Sequence, residues 1–184
     1  LKKIEKCGRV CYKSENKIDN GTAEKFVGNI IKRGHESVLE HASFSVRFVT
    51  DRANTHELVR HRLASFSQES QRYVAYDGDM EFIRQVDITG TKENHWRECM
   101  ELAEKEYLAL RRYDKLSPQL ARSVLPNSTK TEIIVTANLR EWRHILKLRT
   151  SKAAHPQMRA LMIPLLNKLK KLIPVVFDDI EVEK

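Results

Sequence analysis

Residues 60–73 read Arg-His-Arg-Leu-Ala-Ser-Phe-Ser-Gln-Glu-Ser-Gln-Arg-Tyr, and this segment is the most informative stretch of the chain. Three arginines, one histidine and three serines leave it with almost no aliphatic side chains. Arginine presents a planar fork of donors that suits phosphate and carboxylate oxygens. Serine, Gln and Glu add short, directional hydrogen bonds of the kind that recognise a polar heterocycle. The segment therefore predicts a binding site for a flat, anionic molecule.

The consecutive residues Arg60, His61 and Arg62 would point in three directions from a regular helix, so they could not all contact one ligand group. Either the preceding helix ends here and the segment runs irregularly across a ligand, or the three side chains reach different ligands or different subunits. The serines that follow favour a helix that ends here. The alternative to a ligand-binding role is a solvated helix C-terminus, where arginine is favourable.

The composition indicates one globular domain over residues 1–184, with 41% apolar and 32% charged residues. No stretch approaches the roughly 18 apolar residues of a membrane helix, so we expect no membrane partner. Cys7 and Cys11 lie four residues apart on a predicted helix, which suits two thiols better than a disulfide and favours a reducing cytoplasm. The chain begins at Leu1, so we expect the natural N-terminus to be truncated.

The net charge of +8 favours an anionic partner: a nucleic acid, a nucleotide or another polyanionic small molecule. Much of the excess lies in residues 60–72 and from Arg140 to Arg159, interleaved with Ser, Gln and Glu. A nucleic-acid binder more often shows a dispersed lysine face or a basic tail. We therefore favour a small-molecule site and expect no nucleic-acid partner. A basic nucleic-acid-binding module and a structural domain with charged interfaces remain the alternatives.

Two common kinds of site are missing from the pattern. The sequence has no glycine-rich phosphate loop, so side chains must hold any bound phosphate, and the arginines are available for this. His56 and His61 resemble a zinc-binding pair but are one residue too far apart. On a helix they would diverge by roughly 140°. We therefore expect no metal site.

Periodicity and capping residues predict an α+β fold without a regular βαβ rhythm. The predicted helices cover 2–12, 22–33, 52 towards 63, 91–110, a short helix from Pro118 carrying Arg122, 139–148 and a last one from Pro156, kinked at Pro164. The predicted strands cover 42–50, 80–86 and 131–137.

Several blocks together resemble the flavin-dependent thymidylate synthase family. Arg60-His61-Arg62, then seven residues, then Ser70 is similar to the family's signature, and Arg72-Tyr73 follows as in the family. Further blocks in the same order are Gly34–Ser37 with Glu40-His41, Ala121–Pro126, and Asn138–Arg149. The resemblance covers roughly residues 5–175.

The resemblance implies an α+β fold with a mixed or antiparallel central sheet flanked by helices, assembled as a homotetramer with active sites between subunits. It implies that dUMP is converted to dTMP without a cysteine nucleophile. Methylenetetrahydrofolate would supply the carbon, reduced FAD the hydride, and NADPH the electrons that reduce the FAD. The partners would thus be dUMP, folate, NADPH and further copies of the chain.

The resemblance also assigns roles to individual residues. The positions that match FAD contacts are Ser37, Arg60, His61, Arg62, Gln68, Asn138 and His144. The positions that match dUMP contacts are Glu57, Arg60, Gln68, Glu69, Ser70, Gln71, Arg72, Arg122 and Arg149. Arg149 and His35 match catalytic positions. His144 stands where some relatives have asparagine, and Gln68 where many have glutamate.

Overall fold

The computed structural model of the chain describes residues 1–183. Its helices are α1 (Lys2–Val10), α2 (Thr22–Lys32), α3 (Arg52–Leu58), α4 (Thr91–Arg112), α5 (Pro118–Ala121), α6 (Leu139–Thr150), α7 (Pro156–Leu172) and α8 (Pro174–Phe177). Its strands are β1 (Ser43–Asp51), β2 (Ser65–Gln68) and β3 (Lys130–Asn138). Short 3-10 helices cover Glu15–Lys17, Glu36–His41 and Arg122–Val124. The α+β class predicted from the sequence is confirmed.

The three strands form one sheet in the order β1-β3-β2. The Ser45 hydroxyl lies 2.7 Å from that of Thr136, and Arg47 donates to Glu132, so residue numbers rise along β1 as they fall along β3. These two strands are therefore antiparallel. Even-numbered side chains of β1 are the more buried ones, as the alternating sequence predicts.

The chain divides into two compact units. Unit 1 comprises residues 1–45, 63–65 and the chain from Thr136 onward, and unit 2 comprises residues 46–62 and 66–135. The single-domain organisation expected from the sequence stays a prediction. Among residues 1–183, no helix combines the length and the apolar character needed to cross a membrane.

Trp142 of α6 is fully buried in unit 1. The Trp142 ring stacks on Phe44 with centroids 5.0 Å apart, and its indole N–H donates to the Phe44 carbonyl at 3.1 Å. The Leu139 N–H donates to the Ala42 carbonyl at 2.9 Å. These contacts fix the start of α6 against the segment that leads into β1.

Unit 2 has its own small core, in which Tyr107 of α4 packs with Met80 and Ala121. Tyr107 is fully buried, and its hydroxyl accepts from the Tyr76 N–H at 3.3 Å. The loop that follows the 60–73 segment is therefore held against α4.

Some sequence predictions are wrong in detail. Residues 80–86 form no strand; Phe82 makes an isolated bridge to Thr129. The helix predicted to run towards Leu63 ends at Leu58. The short strand β2 was not predicted, because its four residues are serine-rich and lack an apolar repeat. The helix from Pro156 is followed by one more short helix, α8.

The N-cap of α3 is a buried carboxylate that fixes where the helix starts. Asp51 Oδ1 accepts from the Asn54 N–H at 2.7 Å, and Asp51 Oδ2 accepts from the Gln85 amide at 2.8 Å. Asp51→Ala is expected to lower the free energy of unfolding by about 2 kcal/mol, because the cap is lost and the Gln85 amide loses its acceptor. Urea unfolding measures this, with the exposed Asp87→Ala as control; equal losses in both variants would contradict the assignment.

Candidate active site

The Arg60–Arg62 triplet lies just beyond the C-terminal end of α3. The His61 N–H donates to the Leu58 carbonyl at 3.1 Å, which closes the helix with a turn. His61 is buried, at 5% exposure, whereas Arg60 and Arg62 are exposed. The interpretation that the helix ends before the triplet is therefore confirmed, and the three side chains are free of helical register.

Gln68 and Glu69 are the anchored part of the 60–73 segment. The Gln68 amide donates to the Thr55 hydroxyl of α3 at 2.9 Å and to Thr131 at 3.4 Å. Glu69 accepts a hydrogen bond of 2.7 Å from the Tyr76 hydroxyl. Both side chains are half-buried, so the bonds hold them in fixed positions within unit 2.

Arg52 of unit 2 lies near Glu69, and Arg122 lies near Arg52. Arg52 of α3 donates to the Glu69 carbonyl at 3.4 Å. Burial lowers the pKa of Arg52; Arg122 lowers it further by like-charge repulsion, while Tyr76 and Glu69 oppose the shift. Because repulsion raises the energy of both cations, an anion between them would be stabilised. The arrangement can therefore bind a phosphate or carboxylate group.

Arg52 and Tyr76 were not identified from the sequence. Burial raises the pKa of the Tyr76 phenol first, and the hydrogen bond and charge of Glu69 raise it further. The phenol therefore stays protonated as a donor to Glu69. Arg52 is the first residue of a helix and Tyr76 lies in a loop, so neither belongs to a motif that could have indicated a site.

The end of the segment presents one buried amide and one exposed cation. Gln71 is 8% exposed, and its Nε2 makes no hydrogen bond of normal geometry among residues 1–183, although its side chain lies close enough to the Tyr76 phenol to oppose the rise in that phenol's pKa. The Ser70 hydroxyl accepts from the Arg72 N–H at 3.3 Å. The Arg72 guanidinium lies over the Tyr73 ring, 5.4 Å from its centroid, and is exposed. A buried donor without a well-aligned acceptor fits a site that a ligand completes.

In unit 1, His35 and Ser37 line a cavity of about 390 Å³ together with Tyr12, Phe26 and Arg140. Gly34 precedes them with φ of +72°, the left-handed region that favours glycine, and so ends α2. The His35 N–H donates to the Ile30 carbonyl at 2.8 Å. Both His35 and Ser37 are exposed.

Three further predicted residues lie at the start and along the length of α6. Asn138 is the N-cap, and its side-chain oxygen accepts from the Glu141 N–H at 2.9 Å. His144 is exposed and Arg149 is half-buried. Glu141, one turn before His144, is buried, and burial raises the pKa of its carboxyl while His144 opposes the shift. Asn138 therefore stabilises the start of α6, whether or not it also contacts a ligand.

Arg143, also on α6, is the most buried arginine of unit 1, and the sequence analysis gave it no role. Its guanidinium donates to Asp179 at 2.6 and 2.7 Å, to Glu36 at 3.0 Å and to the Val176 carbonyl. Burial alone would lower the pKa of Arg143, but the bonds to Asp179 and Glu36 outweigh burial and raise it. The hydrogen bond from Arg143 lowers the pKa of Asp179, and Lys147 adds to this.

A family model described as "Thymidylate synthase complementing protein" matches residues 1–175. The chain belongs to this family. The resemblance drawn from the sequence is therefore confirmed. The functional roles of the individual site residues stay predictions, although the structure now shows where each one lies.

Relatives and solved structures agree with this membership. The flavin-dependent thymidylate synthase of Corynebacterium efficiens is 39% identical over 98% of this chain and 79% of that protein. The flavin-dependent thymidylate synthase of Mycobacteroides abscessus is 40% identical, over 97% and 79%. Thymidylate synthase X from Helicobacter pylori, crystallised with FAD and dUMP, aligns with a TM-score of 0.80 and 26% identity, covering 97% of this chain and 92% of that one.

The Arg143–Asp179 ion pair predicts how stability depends on pH. Because the folded-state pKa of Asp179 lies below its ordinary value of 3.8, the pair stabilises the fold above that pH and its contribution is lost as the pH falls through the folded pKa. Asp179→Asn should therefore lower the melting temperature at pH 7, and the difference from wild type should narrow below about pH 4.

Melting curves between pH 7 and pH 2.5 measure this difference. The neighbouring exposed Asp178→Asn is the control and should follow the wild type throughout. A gap between Asp179→Asn and wild type that stays constant across the whole range would contradict the electrostatic assignment.

Proposed function

We propose that this chain converts dUMP to dTMP, with methylenetetrahydrofolate as carbon donor, reduced FAD as hydride donor and NADPH as the reductant of the flavin. Family membership over residues 1–175 supports this proposal most strongly, together with relatives of about 40% identity that are named flavin-dependent thymidylate synthases. The chain is accordingly an enzyme, and FAD is its cofactor. The alternative of a nucleic-acid-binding module is not proposed, because Glu57 and Glu69 beside the arginines would repel a phosphodiester backbone.

Unit 2 supplies most of the proposed dUMP site. A nucleotide monophosphate carries close to two negative charges, which suit two or three guanidinium groups. Arg72 is exposed, and Arg122 lies close enough to Arg52 to affect its pKa. We assign the phosphate to these three arginines. Glu57, Gln68 and the remaining polar residues of 69–71 would then hydrogen-bond the sugar and the base.

Arg149 has the proposed catalytic role. Attack at C5 of uracil needs negative charge to build on the ring, and a preorganised guanidinium stabilises that enolate-like charge electrostatically. Arg149 lies in the last turn of α6, a helix whose start is capped by Asn138 and packed by Trp142. His35 is proposed as the second catalytic residue, on the segment that lines the cavity of unit 1.

The donor set fits an anionic flavin nucleotide held by side chains. Arg60 and Arg62 are exposed cations, His61 is a buried imidazole, and Ser37 lines an open cavity. We propose that these residues, with Gln68, Asn138 and His144, hold FAD. When bound, reduced FAD supplies the hydride. The chain's own task is to orient the ligands and exclude competing reactions.

We also propose a homotetramer with active sites shared between subunits. Such sharing explains how Arg60, His61 and Arg62 can serve different ligands although they are adjacent in the chain. A cytoplasmic location is proposed as well, because Cys7, Cys11 and Cys99 are free thiols.

The test of function compares the wild type with Arg149→Ala under anaerobic conditions. Wild-type protein loaded with FAD, dUMP, methylenetetrahydrofolate and NADPH should form dTMP. Arg149→Ala should form it at least about 100-fold more slowly, because one charged donor to the transition state is lost. Lys147→Ala on the same helix is the control and should retain the wild-type rate. Absence of dTMP from the wild type would contradict the function; normal turnover by Arg149→Ala would contradict only the role of Arg149.

The phosphate assignment predicts a loss of dUMP affinity in Arg72→Lys. Lysine keeps the charge but cannot present a bidentate fork, so the Kd for dUMP should rise about tenfold or more. Isothermal titration of the FAD-loaded protein measures the Kd. Arg97→Lys, an exposed arginine on α4 of the same unit, is the matched control. Equal dUMP affinity in Arg72→Lys and Arg97→Lys would show that Arg72 is misassigned.

A further inference from the structure

We propose that Arg143 is a positioning residue for the reaction, because it holds the segment His35–Ser37 in a fixed place against α6. This inference rests on the proposed function, since it takes His35 and Ser37 as flavin-site residues. Arg143 itself is 2% exposed and lines no part of the cavity that His35 and Ser37 form. Its effect on the reaction must therefore act through other residues.

Arg143 contacts the His35–Ser37 segment through Glu36. The Arg143 Nη2 and Nε atoms lie 3.0 and 3.3 Å from the same carboxylate oxygen, Glu36 Oε1. Glu36 stands between His35 and Ser37 in the chain. The side chains of these two neighbours are exposed, so the Glu36 contact and the bond from the His35 N–H to the Ile30 carbonyl together tie this short stretch to the protein interior.

The guanidinium cannot move without breaking other bonds. Its Nη1 and Nη2 atoms donate to the two Asp179 oxygens at 2.6 and 2.7 Å, in a bidentate pair. Nη1 also donates to the Val176 carbonyl of α8. With every guanidinium nitrogen engaged, Arg143 is a rigid link between the His35–Ser37 segment, α6 and the end of α8.

Arg143 lies on α6, directly before His144. Successive helical residues point about 100° apart, so Arg143 can be buried while His144, the next residue, is exposed. Arg143 therefore orients the helix that carries His144 and Arg149 and, through Glu36, the segment that carries His35 and Ser37. A displacement of about 1 Å between reacting groups can reduce a rate about 100-fold.

The chain offers a matched control for this ion pair. Arg140 and Glu40 form a second ion pair of 2.6 Å between the same two elements, α6 and the 3-10 helix Glu36–His41. Both of its side chains are about half exposed, at 53% and 46%. Exposed pairs contribute little because water and salt screen them. Glu40→Ala therefore removes the same chemical group from the same helix without disturbing the buried link.

The experiment compares Glu36→Ala, Glu36→Gln, Asp179→Ala and Glu40→Ala in the full chain. Glu36 itself lines the cavity, so Asp179→Ala, which loosens Arg143 without changing a residue of that cavity, separates the two roles of Glu36. Asp179→Ala should shift the FAD affinity, the flavin spectrum and kcat/KM in the same direction as Glu36→Ala, and wild-type values in Asp179→Ala would overturn the proposal. The readouts are the Kd for FAD from flavin fluorescence, the absorbance spectrum of bound FAD, kcat and KM for dUMP, and the melting temperature. Glu36→Ala should weaken FAD binding about tenfold and lower kcat/KM about 10- to 100-fold, with a changed flavin spectrum. Glu36→Gln should recover most of the loss, since its amide oxygen still accepts from Arg143. Glu40→Ala should stay within about twofold of wild type, because it breaks only a screened ion pair and leaves the cavity-lining Arg140 in place.

If Glu36→Ala and Glu40→Ala show the same FAD affinity, flavin spectrum and kcat/KM, the proposal is overturned. A lower melting temperature with unchanged flavin and kinetic readouts would also overturn it, because Arg143 would then be structural alone. If Glu36→Ala does not fold, Glu36→Asp replaces it: the shorter acid keeps the charge but must shift the segment, and wild-type FAD affinity in that variant would contradict the proposal. A wild type that binds FAD but forms no dTMP would contradict the proposed function, while the FAD affinities would still test Arg143.

Discussion

Guanidinium groups require oxygen acceptors around them, and the two units of this chain meet that requirement differently. In unit 1, Arg143 is saturated from within by Glu36, Asp179 and a backbone carbonyl, and it ties secondary structure together. In unit 2, Arg52 makes a long hydrogen bond to a carbonyl and is destabilised as a cation by burial and then by Arg122. Saturated arginines build the scaffold, and those still in need of an anion are suited to bind one.

This division explains why side chains can replace a glycine-rich phosphate loop. Such a loop supplies backbone N–H groups as donors, whereas here the donors are side chains. Asp51 ends β1 and caps α3, and α3 stops at Leu58. The Arg60–Arg62 triplet therefore lies outside the helix. Gln68 and Glu69 are then fixed by Thr55 and Tyr76. The polar segment is thus rigid where it is anchored and open where ligands are expected.

Elements with a clear apolar period or a capping residue could be predicted from the sequence, among them α2, β1, α4 and the start of α3. Strand β2 could not, because its pairing with β3 gives no local signal in four serine-rich residues. The site triplet was recognisable as a motif. Arg52, Tyr76 and Arg143 were not, since their importance arises from partners distant in the chain, such as Glu36 and Asp179 for Arg143.

The central claim is that arginine side chains, and not a glycine-rich loop, hold the flavin and the nucleotide. A crystal structure of the protein with FAD and dUMP tests it most directly. The account predicts the flavin in contact with Arg60, His61 and Arg62 and the dUMP phosphate bound by Arg52, Arg72 and Arg122. A flavin ring remote from Arg60–Arg62, or a phosphate held by backbone amides alone, would contradict it.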